Sequence, residues 1–187
     1  MKTKKKNSYH HGSLKQEILS AASDIIAKRG AVDFSIRDIS TICKVSPSAI
    51  YKHFKSRNEI AVTLALEGMN ILKSKFDELT ASETDLIQYG ETYIAFAIDY
   101  EGYFRAMYFS QLSEMDEYSH IESVSEQLNN HILSKLDKQL STKNETHILR
   151  RLLVCVHGIA FLSIDNCTTF DKSSIKQILH DNLGDLI

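Results

Sequence analysis

Six residues within ten positions, Ser46, Ser48, Tyr51, Lys52, His53 and Lys55, gather hydroxyls, a phenol, an imidazole and two ammonium groups. Every one of these groups can donate a hydrogen bond to a phosphate oxygen. Ser46, Tyr51, His53 and Lys55 suit the phosphate backbone of a nucleic acid. Pro47, Ser48, Ala49 and Lys52 are small or basic and lie where base edges would be met in a major groove. Ser35 and Arg37, a little upstream, could hold the flanking backbone. Local packing is the competing account of Tyr51 and His53.

These groups need a rigid carrier, and the surrounding stretch, residues 35–54, supplies one. Ile36, Ile39 and Ile42 recur at helical spacing, and Val45 and Ile50 continue the apolar set in a second short helix. Ser46 is a natural N-cap for that helix, with Pro47 at its first position, where a missing N–H costs nothing. Two short helices joined by a tight turn make a helix-turn-helix.

Composition frames the rest. Of 187 residues, 43% are hydrophobic, and only one Pro and seven Gly interrupt them. Such scarce breakers, with no strand-like alternation between turn dipeptides, predict an all-α chain. The net charge of -2 hides an asymmetry. Residues 1–60 carry 12 Lys/Arg against 5 Asp/Glu, whereas residues 61–187 carry 10 against 19. A basic end on an acidic body suits a polyanion at that end alone. Three cysteines, Cys43, Cys155 and Cys167, form no Cys-x-x-Cys pair, which fits a reducing cytoplasm better than a disulfide framework or zinc site. The basic N-terminus lacks the apolar run of a signal peptide, and the apolar run 152–164 is shorter than the roughly 20 residues a membrane span needs.

Helical periodicity predicts a first helix over 13–29, capped by Ser13 and stopped at Gly30 after Lys28-Arg29. Phe34 is expected beside Ile39 and Ile50 in a small core. A long helix over 56–79 opens with Ser56 and Glu59 as a capping box and crosses from the N-terminal module into the body. Five more helices are expected, over 82–99, 102–112, 116–140 and 144–166 and then after Asp171. This gives about nine helices in all. The organisation reads as a flexible basic arm (1–12), a three-helix helix-turn-helix domain (13–55) and a helical ligand-binding and dimerisation body (56–187).

The run Val45-Ser46-Pro47-Ser48-Ala49-Ile50-Tyr51-Lys52-His53-Phe54-Lys55-Ser56-Arg57-Asn58-Glu59-Ile60, with the stripe upstream from residue 13, resembles the TetR family of transcriptional regulators. The arm Tyr9-His10-His11-Gly12 and the later His157-Gly158 resemble one subgroup of that family. Two positions depart from the pattern. Lys44 stands where the family usually has Gly, at a cost of about 1 kcal/mol if that residue is left-handed. Ser13 stands where the subgroup usually has an acidic residue.

The resemblance implies a homodimer on a pseudo-palindromic double-stranded operator, repressing transcription until a small effector binds the body. The aromatic set Phe96, Tyr100, Tyr103, Phe104, Met107, Tyr108, His157 and Phe161 is the material for such a pocket, unless it is ordinary core with phenols reaching water. A small apolar or aromatic effector would suit it. Leu152, Val156, Ile159 and Ala160, with Ile175, Ile178, Leu179 and Leu183, lie on more sides of the last two helices than a monomer could cover, so they are the expected dimer interface. Lys4, Lys5 and Lys6 either follow the minor groove or are solvated. The eight histidines show no ligand spacing for a metal, no nucleophile signature or phosphate loop occurs, and so neither catalysis nor a cofactor is expected. A TetR-like DNA-binding protein controlled by a protein partner instead of a small ligand is the alternative.

Overall fold

A computed structural model describes residues 11–79, 85–109, 118–134 and 142–184. They form nine α-helices and, among the described residues, no strand. In order these are α1 His11–Arg29, α2 Ile36–Cys43, α3 Pro47–Tyr51, α4 Arg57–Asp77, α5 Leu86–Asp99, α6 Glu101–Met107, α7 Tyr118–Leu133, α8 Thr142–Ile164 and α9 Lys172–Leu183. Lys4, Lys5, Lys6, Tyr9 and His10 lie outside the described residues.

Helices α1 to α3 wrap a small core. Leu14, Ile18, Ala22, Ile25 and Ile26 come from one face of α1, and Phe34, Ile39, Ile50 and Phe54 close on them. Leu19 and Ala21 are buried as well, since α1 is covered by α6 and α4 in addition to α2. Ile42 is exposed, contrary to the expected stripe. It stands six residues beyond Ile36, far enough around an eight-residue helix to turn off the buried face. The backbone is already helical at His11, so Ser13 lies inside α1 and does not cap it. Gly30 ends α1 at φ +69, a conformation that a Cβ disfavours.

Helix α4 is the shared wall. Ile60, Ala61, Leu64 and Ala65 are buried towards its N-terminal end, and Met69, Leu72 and Phe76 along the remainder. Ser56 caps it, its Oγ accepting from Glu59 N at 3.1 Å. The reciprocal bond is shifted by one residue, because Glu59 Oε2 accepts from Lys55 N. In the body, α5 packs on α8 and α9, and α7 leans on α4. Helix α5 starts at Leu86, later than expected, because Asp85 caps it by accepting from Gln88 N at 2.9 Å. Asp171 caps α9 as expected, accepting from Ser174 N at 2.7 Å.

The body covers its own apolar faces better than the sequence suggested. Leu152, Val156, Ile159, Ala160, Ile175, Leu179 and Leu183 are all at most 9% exposed, and Ile178 is half-buried. Helix α8 presses its inner face on α5, and α9 lies across both. These residues therefore need no second copy to leave water. What remains outside is a different stripe, Val154 (75% exposed), Gly158 and Leu162 (44%), at i, i+4 and i+8 along α8, with Leu153 beside it. The apolar part of α8 is also longer than the run 152–164. The segment Glu145–Ile164 is 20 residues with mean hydropathy 1.5, long enough to cross a bilayer, with a third of it buried in the bundle.

Candidate nucleic-acid interface and body cavity

The start of α2 and its turn into α3 are both fixed by caps. Ser35 Oγ accepts from Asp38 N at 3.1 Å and Asp38 Oδ2 accepts from Ser35 N at 2.8 Å, so both ends of a capping box are made. Arg29 reaches from the end of α1, 3.2 Å from Asp38 Oδ2 and 2.6 Å from Asp33 O. The Ser35 backbone and the Arg29 guanidinium together hold the Asp38 carboxyl below the usual carboxylate range. Lys44 closes α2 in the left-handed region at φ 55, ψ 39, where its N–H bonds Ser40 O. A lysine thus occupies the position that glycine would take at no steric cost.

Helix α3 spans only Pro47–Tyr51, shorter than the stretch to Phe54. Its last turn is closed instead by His53 N and Phe54 N, which both bond Ile50 O at 2.9 and 3.0 Å. Ser46 Oγ accepts from Ala49 N at 3.3 Å and lies 2.8 Å from Ser48 Oγ. Ile50 and Phe54 point inward at 0% and 1% exposure. Pro47, Ser48, Tyr51, Lys52 and Lys55 are exposed, Tyr51 at 54%, while Ala49 and His53 are half-buried. A buried tyrosine would have been a core residue. An exposed one, beside an exposed Lys52 on a capped turn, is a phenol held out to solvent. Ser35 and Arg37 are exposed on the adjoining start of α2.

A cavity of about 440 Å³ opens among the body helices. Met69, Leu72 and Phe76 of α4, Tyr89 and Tyr93 of α5, and Leu128 and Ile132 of α7 form much of its wall. Leu149, Leu152, Leu153 and Val156 of α8 complete it, with Met107 and Tyr108 at the end of α6. Ser125, Asn129, Thr146 and Arg150 add polar groups. The volume falls in the range of small-molecule sites, about 300–1,000 Å³.

Of the eight aromatic-cluster residues expected to line a pocket, only Met107 and Tyr108 do so. Phe96 and Phe104 are fully buried core, in ring contact with each other at 6.4 Å between centroids. Tyr100 and Tyr103 sit on the far side of α6, facing a polar crevice against α1. His157 and Phe161 stand behind the wall. The cavity lies one helix further over because α7, with its sparse stripe, leaves room that the aromatic-rich α6 does not.

His157 still reaches the cavity through a hydrogen-bonded chain. Tyr93 Oη lies 2.6 Å from Tyr108 Oη and 2.9 Å from His157 Nδ1. Burial pushes the Tyr93 phenol well above the usual phenol range, raises that of Tyr108 and lowers the imidazole. All three groups are neutral at pH 7. Such a chain can run in either direction, since Tyr93 donates to one neighbour while accepting from the other. Its Tyr108 end can therefore show the cavity a donor or a lone pair.

Sequence reasoning missed Arg105, which is 8% exposed on α6. Its Nε donates to Glu101 Oε1 at 2.8 Å, its Nη1 to Gly30 O at 3.0 Å and its Nη2 to Asp165 Oδ1. The Glu101 pairing was legible as an i, i+4 spacing. The other two partners are 75 and 60 residues away in sequence.

Residues 18–64 match the family described as bacterial regulatory proteins, tetR family. No curated protein matches the sequence. Solved structures share the fold over nearly the whole chain. A TetR-like transcriptional regulator from Rhodococcus sp. RHA1 superposes with a TM-score of 0.72 at 14% identity, covering 95% of this chain and 98% of that one. A tetR-family transcriptional regulator from Streptomyces coelicolor gives 0.75 at 17%, covering 94% and 81%. A transcriptional regulator of the TerR/AcrR family from Aquifex aeolicus VF5 gives 0.68 at 18%, covering 93% and 99%. The N-terminal segment is thus a tetR-type helix-turn-helix, and the whole chain has the fold of the TetR-like regulators.

Proposed function

We propose that this chain is a dimeric transcriptional repressor of the TetR type, which holds a pseudo-palindromic operator and lets go when a small effector enters the body. The observation that carries the DNA reading is α3. Its inward residues Ile50 and Phe54 are sealed in the core, and its outward residues Pro47, Ser48, Tyr51 and Lys52 are exposed on a doubly capped turn. A five-residue helix so anchored holds its side chains at fixed spacing, as groove reading requires. Residues 13–55 are then the reader, and residues 56–187 the body.

The cavity favours a small effector over a protein partner. Its wall is mostly apolar, with a neutral hydrogen-bonding end at Tyr108, so an apolar or aromatic molecule with one polar group fits it. The exposure of the stripe Val154, Gly158 and Leu162 supports a two-fold arrangement, because a glycine between two apolar residues lets two helices approach closely. Action in the cytoplasm follows from DNA as the partner. Helix α8, though long enough to span a bilayer, has its inner face seated on α5 and α9. Tyr9-His10-His11-Gly12 and His157-Gly158 support membership of the subgroup they resemble.

The test is selection of bound duplexes from a random-sequence pool, followed by titration of variants. Tyr51→Ala and Lys55→Ala are expected to weaken binding to all duplexes and to lower its salt dependence, Lys55→Ala by about one unit of slope. Lys52→Ala is expected to change which sequences are selected. Unchanged affinity for both Tyr51→Ala and Lys55→Ala refutes the docking of α3.

A further inference from the structure

Helix α6 has seven residues and touches three parts of the molecule. Its start lies against α1, with the Gly102 Cα so near Ser23 that no Cβ could fit between them. Its end, Met107 and Tyr108, forms part of the cavity wall. Between them is Arg105, whose fork joins Gly30 O at the end of α1 to Asp165 at the end of α8. Glu101 orients the guanidinium from the preceding turn, and the ring of Phe161 lies 5.9 Å beneath it.

A buried guanidinium is costly unless each face of it is satisfied, and here the satisfying groups come from helices that have different tasks. Helix α1 carries the reader, whereas α8 carries the exposed stripe that would meet a second copy. Building on the proposed function, we infer that Arg105 is a positioning residue that sets the seat of the reader on the body, and through it the distance between the two readers of a dimer. Helix α4 alone does not fix that distance, because α1 rests on α6 as well as on α4. Tyr108 is three residues beyond Arg105, nearly one helical turn on. An occupant that displaces the Tyr108 ring moves the helix that holds the fork.

The bond from Nη1 to Gly30 O is the part a lysine cannot reproduce together with the other two, since the guanidinium presents several donors in a fixed plane and an ammonium is a point charge. Asp165 is the partner that can be altered at least cost to folding, being 45% exposed at its side chain.

The experiment uses the full-length dimer with Arg105→Met, Arg105→Lys and Asp165→Asn, and two duplexes from wild-type selection, one with both half-sites and one with a single half-site. Arg105→Met and Asp165→Asn are expected to weaken the two-site duplex at least about fivefold, a typical coupling between linked sites. Affinity for the half-site duplex is expected to stay within about twofold. Arg105→Lys is expected to fall between Arg105→Met and the parent. Equal losses on both duplexes show a merely structural role and overturn the inference, as does an unchanged two-site affinity. Hydrogen exchange gives a second readout that needs no DNA. Amides of residues 28–35 are expected to exchange at least about fivefold faster in Asp165→Asn, because local opening is governed by such ties. Unchanged protection there overturns the inference. If the wild type selects no duplex, the repressor reading fails, and the exchange measurement still decides on the latch.

Discussion

Replacing Gly102 by Ala tests how α1 and α6 meet. A Cβ built at Gly102 would lie 2.1 Å from Ser23 O and 2.4 Å from Ser23 Oγ. A carbon and a carbonyl oxygen need about 3.3 Å, so the two helices would have to part by roughly 1 Å. The obstructing atom belongs to the backbone of mid-α1 and has no rotamer by which to move aside. Overpacking of this kind costs about 1–3 kcal/mol, and a backbone obstacle puts the cost near the top of that range. Alanine returns less than about 1 kcal/mol through helix propensity. The net loss of about 2 kcal/mol lowers the unfolding midpoint by about 4–8 °C in a chain of this size. Thermal unfolding followed by far-ultraviolet circular dichroism measures it. Gly68→Ala is the comparison, because there the nearest atom is Met107 Sδ at 3.0 Å, in a flexible side chain, and the fixed Tyr103 Cβ stands further off at 3.2 Å than Ser23 O does from Gly102. Its cost is expected to stay below about 1 kcal/mol. A Gly102→Ala midpoint within about a degree of the parent, or equal losses for both variants, refutes the close approach described for α6.

Three further outcomes are expected. His157 binds a proton less readily folded than unfolded, so acidification below its ordinary value of 6.5 favours the unfolded chain and stability rises with pH through that window; urea titrations of His157→Asn should show a flatter slope there. Asp171 is held down to about 2 by the hydroxyls and backbone of Ser173 and Ser174, so its contribution is present above pH 3.8 and lost as the pH falls towards 2; Asp171→Asn should remove that step from the helicity of α9. Gly158→Ala meets nothing within 4 Å in a single chain and would there gain up to about 1 kcal/mol, yet it is expected to weaken self-association about tenfold in sedimentation equilibrium; a gain in stability with unchanged association puts the partner on another face.

Caps were the most legible feature of the sequence. Ser46, Ser56 and Asp171 each stand at a helix start because a short side-chain oxygen satisfies a backbone N–H two or three residues on, which is a local matter, whereas Ser13, expected as a cap, falls inside α1 and the cap at Ser35 was not foreseen. The helix-turn-helix was legible for the same reason, as its spacing, turn and outward face lie within twenty consecutive residues. The cavity was not, because aromatic density marks where rings pack, whereas space is left where a stripe such as Ile121, Leu128 and Ile132 is sparse. The burial of the expected dimer residues within the single chain was not legible for a related reason. Apolar residues on several sides of α8 show that it is covered, but not whether the cover is α5, α9 or another copy. Arg105 was hidden most completely, since two of its three partners become neighbours only after the chain has folded.

The seam between the helix-turn-helix and the body has a consequence for how such a protein can be altered. Where α6 meets α1, it is made of backbone at Gly102 and Ser23 and of one arginine fork, none of which lines the cavity. Most of the cavity wall, by contrast, comes from side chains on α4, α5, α7 and α8, and only Met107 and Tyr108 come from the end of the helix that carries the fork. A designer could therefore repaper the chamber, exchanging Leu128, Ile132, Leu149 or Leu153 for residues of other shape, and leave the joint to the helix-turn-helix untouched. Most of the cavity lining is thus separate from the joint between the helix-turn-helix and the body.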